Sequence, residues 1–149
     1  MAVPTGSGTE TLHSHSFADV DAGQTLIFGV QHHVYTVLSI IVFCNALDAI
    51  TDVGYIDIKT YDNHGGGSGQ TMRITEFNLQ AYTTFVWNDK FSFNGYEPSG
   101  SAAMSAAVQI LNAAQGGSAD AELQFTMTSA DGGGQDYDVH ITYLDQDWT

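Results

Sequence analysis

Basic side chains are almost missing from this chain. Lys59, Arg73 and Lys90 are the only three, against seventeen acidic residues, and the formal charge is −14. A surface of that sign repels phosphate backbones and anionic headgroups, so nucleic acid and anionic membranes are poor partners. Charge of either sign is scarce, at 13% of residues, so Ser, Thr, Asn, Gln and Gly have to supply much of the surface. The acidity reads first as a means of solubility, with cation binding as the alternative. Cysteine occurs once, as Cys44 inside an apolar run, where no intramolecular disulfide can form. A thiol in that setting is core filler rather than nucleophile. No apolar run reaches the length of a membrane span, and Met1 to Gly8 lacks the basic start and apolar centre of a signal peptide. The expectation is a protein made soluble in a cytoplasm.

Catalytic motifs are missing as well. Gly65-Gly66-Gly67-Ser68-Gly69 is no nucleophile elbow, because no apolar strand leads directly into it and no helix follows. Gly-Lys-Ser/Thr, which a phosphate-cradling loop needs, does not occur, and neither does a strand-helix-strand setting for one. The sequence points to no enzyme and to no cofactor.

What the chain does contain is strands. Val34 to Cys44 is its most apolar run, uncharged and crowded with β-branched and aromatic residues. Such a run is expected to be dry on both faces and central in a sheet. Two strands precede it, a weak one from Thr9 to Phe17 and an apolar one from Thr25 to Val30. Gly54 to Tyr61 alternates, with Ile56 and Ile58 on one face and Asp57 and Lys59 on a wet one. Thr71 to Leu79 follows, then Tyr82 to Asn94, where Phe85, Trp87, Phe91 and Phe93 share a parity and Asn88-Asp89 marks a bulge or a division into two short strands. Two alternating strands close the chain, one with Ala121, Leu123, Phe125 and Met127 inward, the other with Tyr137, Val139, Ile141 and Tyr143 inward. Between them and the aromatic strand the composition turns to alanine, and Met104, Val108 and Leu111 at spacings of four and three predict a short helix over 101–115. The fold class is mainly β: a two-sheet antiparallel β-sandwich, jelly-roll-like, of about eight strands with that one helix. Residues 1–9 read as a flexible arm and 10–149 as a single sandwich domain.

Candidate ligand groups are thin. His13 and His15 fall on one side of a strand, with Asp19 and Asp21 further along, a pattern open to a transition metal but also to an unliganded exposed pair. His32 and His33 point to opposite faces, at what reads as a solvated strand end. Asp131 and Asp136 flank a glycine loop whose oxygens suit calcium, without the ligand alternation or closing glutamate of an EF-hand loop. Tyr35, Tyr55, Tyr61, Tyr82, Tyr96 and Trp148 are candidates for a sugar-stacking platform, or simply for core and rim.

The sequence of pieces from Val34-Tyr35-Thr36-Val37 to Cys44-Asn45, through Tyr55-Ile56-Asp57-Ile58, Thr84-Phe85-Val86-Trp87 and Lys90-Phe91-Ser92-Phe93-Asn94-Gly95, to Tyr137-Asp138-Val139-His140-Ile141-Thr142-Tyr143-Leu144 resembles small β-sandwich virion proteins of tailed bacteriophages. These are the capsid decoration (cement) and appendage proteins. The match is one of pattern over roughly residues 24 to 145, and it departs at Asn94-Gly95-Tyr96, where such proteins often carry an acidic-Gly-Asp turn. The resemblance implies a structural protein made in the host cytoplasm and placed on the outer capsid surface, as a homotrimer bound to the major capsid protein, with a terminal arm along a neighbour. Phe17, Tyr96, Trp148 and the Ala-rich helix are the interface residues this suggests. A neck, tail or fibre protein is the nearest alternative, and a carbohydrate- or calcium-binding sandwich module is the alternative of another class.

Overall fold

The computed structural model describes residues 9–30, 33–46, 53–60, 70–78, 80–97, 119–127 and 135–147. The expected helix over 101–115, the arm over 1–8, Asp131 and Trp148 lie outside the described residues, as does the side chain of Tyr96. Eleven strands are described: β1 (Thr9–Val20), β2 (Gln24–Phe28), β3 (His33–Ala46), β4 (Val53–Thr60), β5 (Gln70–Asn78), β6 (Thr84–Trp87), β7 (Phe91–Asn94), β8 (Tyr96–Glu97), β9 (Ala119–Asp120), β10 (Glu122–Met127) and β11 (Asp136–Asp147). β1 begins at Thr9, where the weak first strand was expected, and runs three residues beyond Phe17.

Two antiparallel sheets pack face to face. One runs β1-β11-β3-β6, with β7 also on β3, and the other runs β2-β10-β4-β5; β8 and β9 form a separate ribbon that the sequence did not foreshadow. The chain changes sheet at seven of the ten steps between successive described strands, so strands distant in sequence become neighbours. Alternation explains the core. Val37, Ile40, Val42, Val139 and Ile141 from the first sheet meet Ile56, Leu123 and Phe125 from the second, all buried. Phe125 stands edge-on to Tyr137 at 5.6 Å between ring centres, and Phe77 stacks on Phe85 at 3.9 Å, which ties β5 to β6 across the sandwich.

The apolar run of β3 is central, flanked by β11 on one side and by β6 and β7 on the other. Dryness on both faces is not observed. Tyr35, Val37, Ile40, Val42 and Cys44 are buried, whereas Val34, Leu38, Ile41 and Phe43 on the opposite face are half-exposed. Among the described elements none lies over that outer face. The expected interruption near Asn88-Asp89 is real: β6 pairs with Ile40 to Phe43 and β7 with Val34 to Val37, along one edge.

A second correction concerns Asp57, expected on a wet face and found 4% exposed. Arg73 on the adjacent strand covers it, donating from Nε to Oδ1 at 3.0 Å, and Thr126 donates to Oδ2 at 3.0 Å. The Asp57 carboxylate holds the Arg73 guanidinium above its usual pKa through that hydrogen bond. Arg73 also lies 3.5 Å over the Tyr55 ring.

At one end of the sandwich three chain segments cross with no room for side chains. Gly29 N–H donates to Ala121 O at 2.7 Å and Ala121 N–H donates to Gly95 O at 3.1 Å. A Cβ on Gly29 would collide with both of those carbonyl oxygens, and backbone cannot step aside as a side chain can. Gly29→Ala is expected to cost about 3 kcal/mol in urea unfolding. Gly23→Ala, which meets only ordinary contacts at 3.7 and 3.8 Å, is expected to stay within about 0.5 kcal/mol of the parent.

Candidate functional site

Three places gather chemistry-bearing groups. The first lies on the inward side of the first sheet, near the Thr9 end of β1. There β1, β11 and β3 run side by side, and pairing sets His13 beside Tyr143 and His33 beside Asp147. The His13 and His15 rings lie 5.8 Å apart, and His13 stacks on Tyr143 at 5.0 Å. Asp145 stands between two imidazoles. His33 donates from Nδ1 to Asp145 Oδ1 at 2.7 Å, and His13 Nε2 is 3.7 Å from Oδ2. The other nitrogen of His33 is 3.7 Å from Asp147. His33, expected at a solvated strand end, is thus a half-buried partner of a carboxylate 112 residues away. No local spacing could have shown that, because the pair is made by strand order. Burial, and secondarily the Asp145 charge, push the Tyr143 phenol above its ordinary pKa.

The second place is the start of β11. Asp19 does not join His13 and His15 as their spacing had allowed. Between the pairs Phe17↔Val139 and Val20↔Tyr137, β1 bulges, so that Ala18 and Asp19 oppose Asp138 alone. Asp19 takes φ 55°, a left-handed conformation that aspartate tolerates, and its N–H donates to Asp138 Oδ1 at 3.2 Å. The bulge aims Asp19 at Asp136 and Asp138, and one ligand atom from each lies within 4.8 Å of the others. Three hard oxygen donors suit calcium better than a transition metal. Of the calcium candidates, Asp136 belongs to this cluster.

The third place is the outer face of the first sheet. Its rungs run Leu12–Leu144–Thr36–Ser92, then Ser14–Thr142–Ser39, then Ser16–His140–Ile41–Val86. Hydroxyls pair across the strands, Ser14 to Thr142 at 2.9 Å and Thr36 to Ser92 at 2.8 Å, and Ser16 Oγ meets His140 Nδ1 at 2.7 Å. Leu12 is 62% exposed and Val86 52%. Beside His140 a shallow groove of about 320 Å³ opens over β11, walled by Ile41 and Phe43 on one side and Ser16 and Ala18 on the other, with Asp138 also in its lining. Between the Glu10 row and the Asp138 row the rungs across β1, β11 and β3 carry no carboxylate and no Lys or Arg, while the β6–β7 connection brings Asp89 and Lys90 to the edge beside Ser39. Phe17, expected at an interface, packs partly buried against the core and borders this groove.

The tyrosines form no common platform among the described residues. Tyr35 is buried between the sheets, Tyr55 lies under Arg73, and Tyr82 stands alone at 81% exposure. Cys44 is fully buried at the end of β3 remote from His33.

No family model matches the sequence, and no curated protein matches it. Among solved structures the chain is similar to a chain of infectious bursal disease virus, Gx strain, at a TM-score of 0.44 and 9% identity over 95% of this chain and 32% of that one. A chain of the T13 particle of the same virus gives 0.43 and 8%, over 96% and 36%. A chain from the disulfide-linked pili of Bacillus endospore appendages gives 0.39 and 8%, over 100% and 99%. This chain spans about a third of the viral chains. At these scores the likeness fixes neither family nor role.

Titration of Tyr143 reports directly on the first site. Its phenol is expected to ionise above the ordinary value of 10.0, with Asp145→Asn lowering the midpoint only in part because burial is the larger cause. Tyrosinate absorbance, with Tyr143→Phe to assign the step, measures both. The folded state holds this proton more tightly than the unfolded chain, so the contribution to stability is full below the unfolded pKa and declines as pH rises through the folded one.

Proposed function

We propose that this chain is a structural protein of a virus particle, a capsid decoration (cement) protein of the tailed-phage kind. It acts by contact, tying neighbouring shell subunits on the outer capsid surface, and catalyses nothing. Its partners are the major capsid protein and further copies of itself. The observation that carries this reading is the outer face of the first sheet, where hydroxyls and four aliphatic side chains, Leu12, Leu144, Ile41 and Val86, fill the rungs between the acidic rows of Glu10 and Asp138. Such patches mark protein contacts, since a depleted charge at the centre with a polar rim is what protein interfaces display. Strand order adds support. We read β1-β11-β3-β6/β7 opposite β2-β10-β4-β5 as the double Greek key of a jelly roll, an architecture shared by viral capsid and lectin domains. That is an analogy of fold, which narrows the field without assigning the role. The pattern likeness to phage virion proteins supplies the rest.

Mass-spectrometric copy number in purified particles of the encoding virus tests the proposal. Hundreds of copies per particle are expected. A dozen or fewer moves the protein to a neck, tail or fibre, and a particle without it ends the reading.

The Asp19, Asp136 and Asp138 cluster favours a second reading, a calcium-binding sandwich module. On that reading millimolar calcium raises Tm by several degrees and Asp138→Asn abolishes the rise; an unchanged Tm with calcium removes it.

A further inference from the structure

The groove beside His140 has apolar walls and an acidic floor, and we infer that it seats an arginine side chain of another protein, stem along the walls and guanidinium against Asp138. The inference rests on the reading of the outer face as a contact surface. It deepens that reading by naming the chemistry of the partner's contact residue.

Strand pairing makes the groove. On the outer face Asp138 and His140 lie two residues apart along β11, with the Ala18–Asp19 bulge and Ser16 on the β1 side and Phe43 and Ile41 on the β3 side. Ser16 and Ala18 are small, Ile41 and Phe43 are large, and the space between them is about 320 Å³. That lies at the lower limit of ligand sites, about 300 Å³, and suits one long side chain. Its floor is charged. Asp138 lines it, and Asp19 and Asp136 each bring a carboxylate oxygen within 4.8 Å of one on Asp138. Asp138 Oδ1 accepts the Asp19 N–H at 3.2 Å, so the backbone fixes this carboxylate before any guest arrives.

The counter-charge is what the chain does not provide. Among the described residues no Lys, Arg or His forms an ion pair with any of the three carboxylates. Asp136 Oδ1 is buried without a hydrogen-bond partner. An unpaired buried acceptor and like charges held this close both cost free energy, and one cationic donor relieves both. A second copy is no source of the arginine. Arg73 is the chain's one arginine, and it lies on the second sheet, held by Asp57 and Glu76. The arginine therefore comes from a different protein, which on the decoration reading is the shell subunit. Arginine suits the site better than lysine. Its planar fork of donors engages several carboxylate oxygens at once, its face stacks on a ring such as Phe43, and its methylene stem covers an aliphatic wall such as Ile41.

Titration of the full-length chain with N-acetyl-arginine amide, followed by ¹H–¹⁵N NMR, tests this without any capsid. A chelator in the buffer keeps calcium off the shared carboxylates. Saturable shifts are expected at the amides of Ala18, Asp19, Ile41, Phe43, Asp138 and His140, with half-saturation at about 5 mM. Raising salt from about 20 to 300 mM is expected to weaken binding about threefold or more. The neutral isostere N-acetyl-citrulline amide is expected to bind about tenfold more weakly or less. Asp138→Asn keeps an acceptor for the Asp19 N–H and weakens arginine binding by about tenfold. Ala18→Trp, at an exposed wall position, fills the groove and abolishes binding without changing charge. Asp89→Asn makes the same charge change at an exposed position outside the groove and leaves binding as it was. Absence of saturable shifts at these amides, equal binding of the citrulline amide, or arginine binding that survives either Asp138→Asn or Ala18→Trp overturns the inference. The particle copy number is read separately, so either proposal can fail while the other stands.

Discussion

One extra residue in β3 holds the arrangement together. Side chains in a strand alternate with a period of two, so Tyr35 and Val37 could share the core face with Ile40, Val42 and Cys44 only if the strand slips once between them. It does so at Leu38 and Ser39: β11 pairs Thr142 with Ser39 and then Tyr143 with Val37. Without that bulge half of the strand's core residues would face solvent. Its effect spreads to both neighbours, because β11 must accept the shifted register and the opposite edge divides into β6 and β7.

Having one buried face fixes the character of the other. The second sheet closes over the inward side, and the outward side keeps Val34, Leu38, Ile41 and Phe43 half-exposed. Apolar residues on a sheet's outer face weaken solubility unless something covers them, and the rest of this surface carries acid in abundance. Two of the described ionisable pairs join neighbouring strands, His33 with Asp145 and Arg73 with Asp57. Such pairs settle strands against each other.

Bulges also place the carboxylates. The irregularity in β1 at Ala18 and Asp19 turns one acid toward two others on β11, and the same strand carries His13 and His15 to the opposite end. Residues that sit within six positions of one another in the sequence therefore belong to separate sites.

Much of the architecture could be read from the sequence because alternation is a local property. The inward sets of β10 and β11, the central place of β3 and the break in the aromatic strand all follow from residues a few positions apart. The outer face of β3 could not be read so, since an apolar side chain looks the same whether a second layer covers it or not. Asp57 misled for a related reason: its covering group, Arg73, comes from the next strand, and hydropathy cannot show a guanidinium folded over a carboxylate. His33 with Asp145, the three-acid cluster and the groove beside His140 depend on which strands become neighbours. Sequence by itself determined that this chain makes alternating strands with one greasy run among them. Only the tertiary structure decided what those strands set side by side, because pairing across more than a hundred residues is fixed by closure of the whole core and by no local signal.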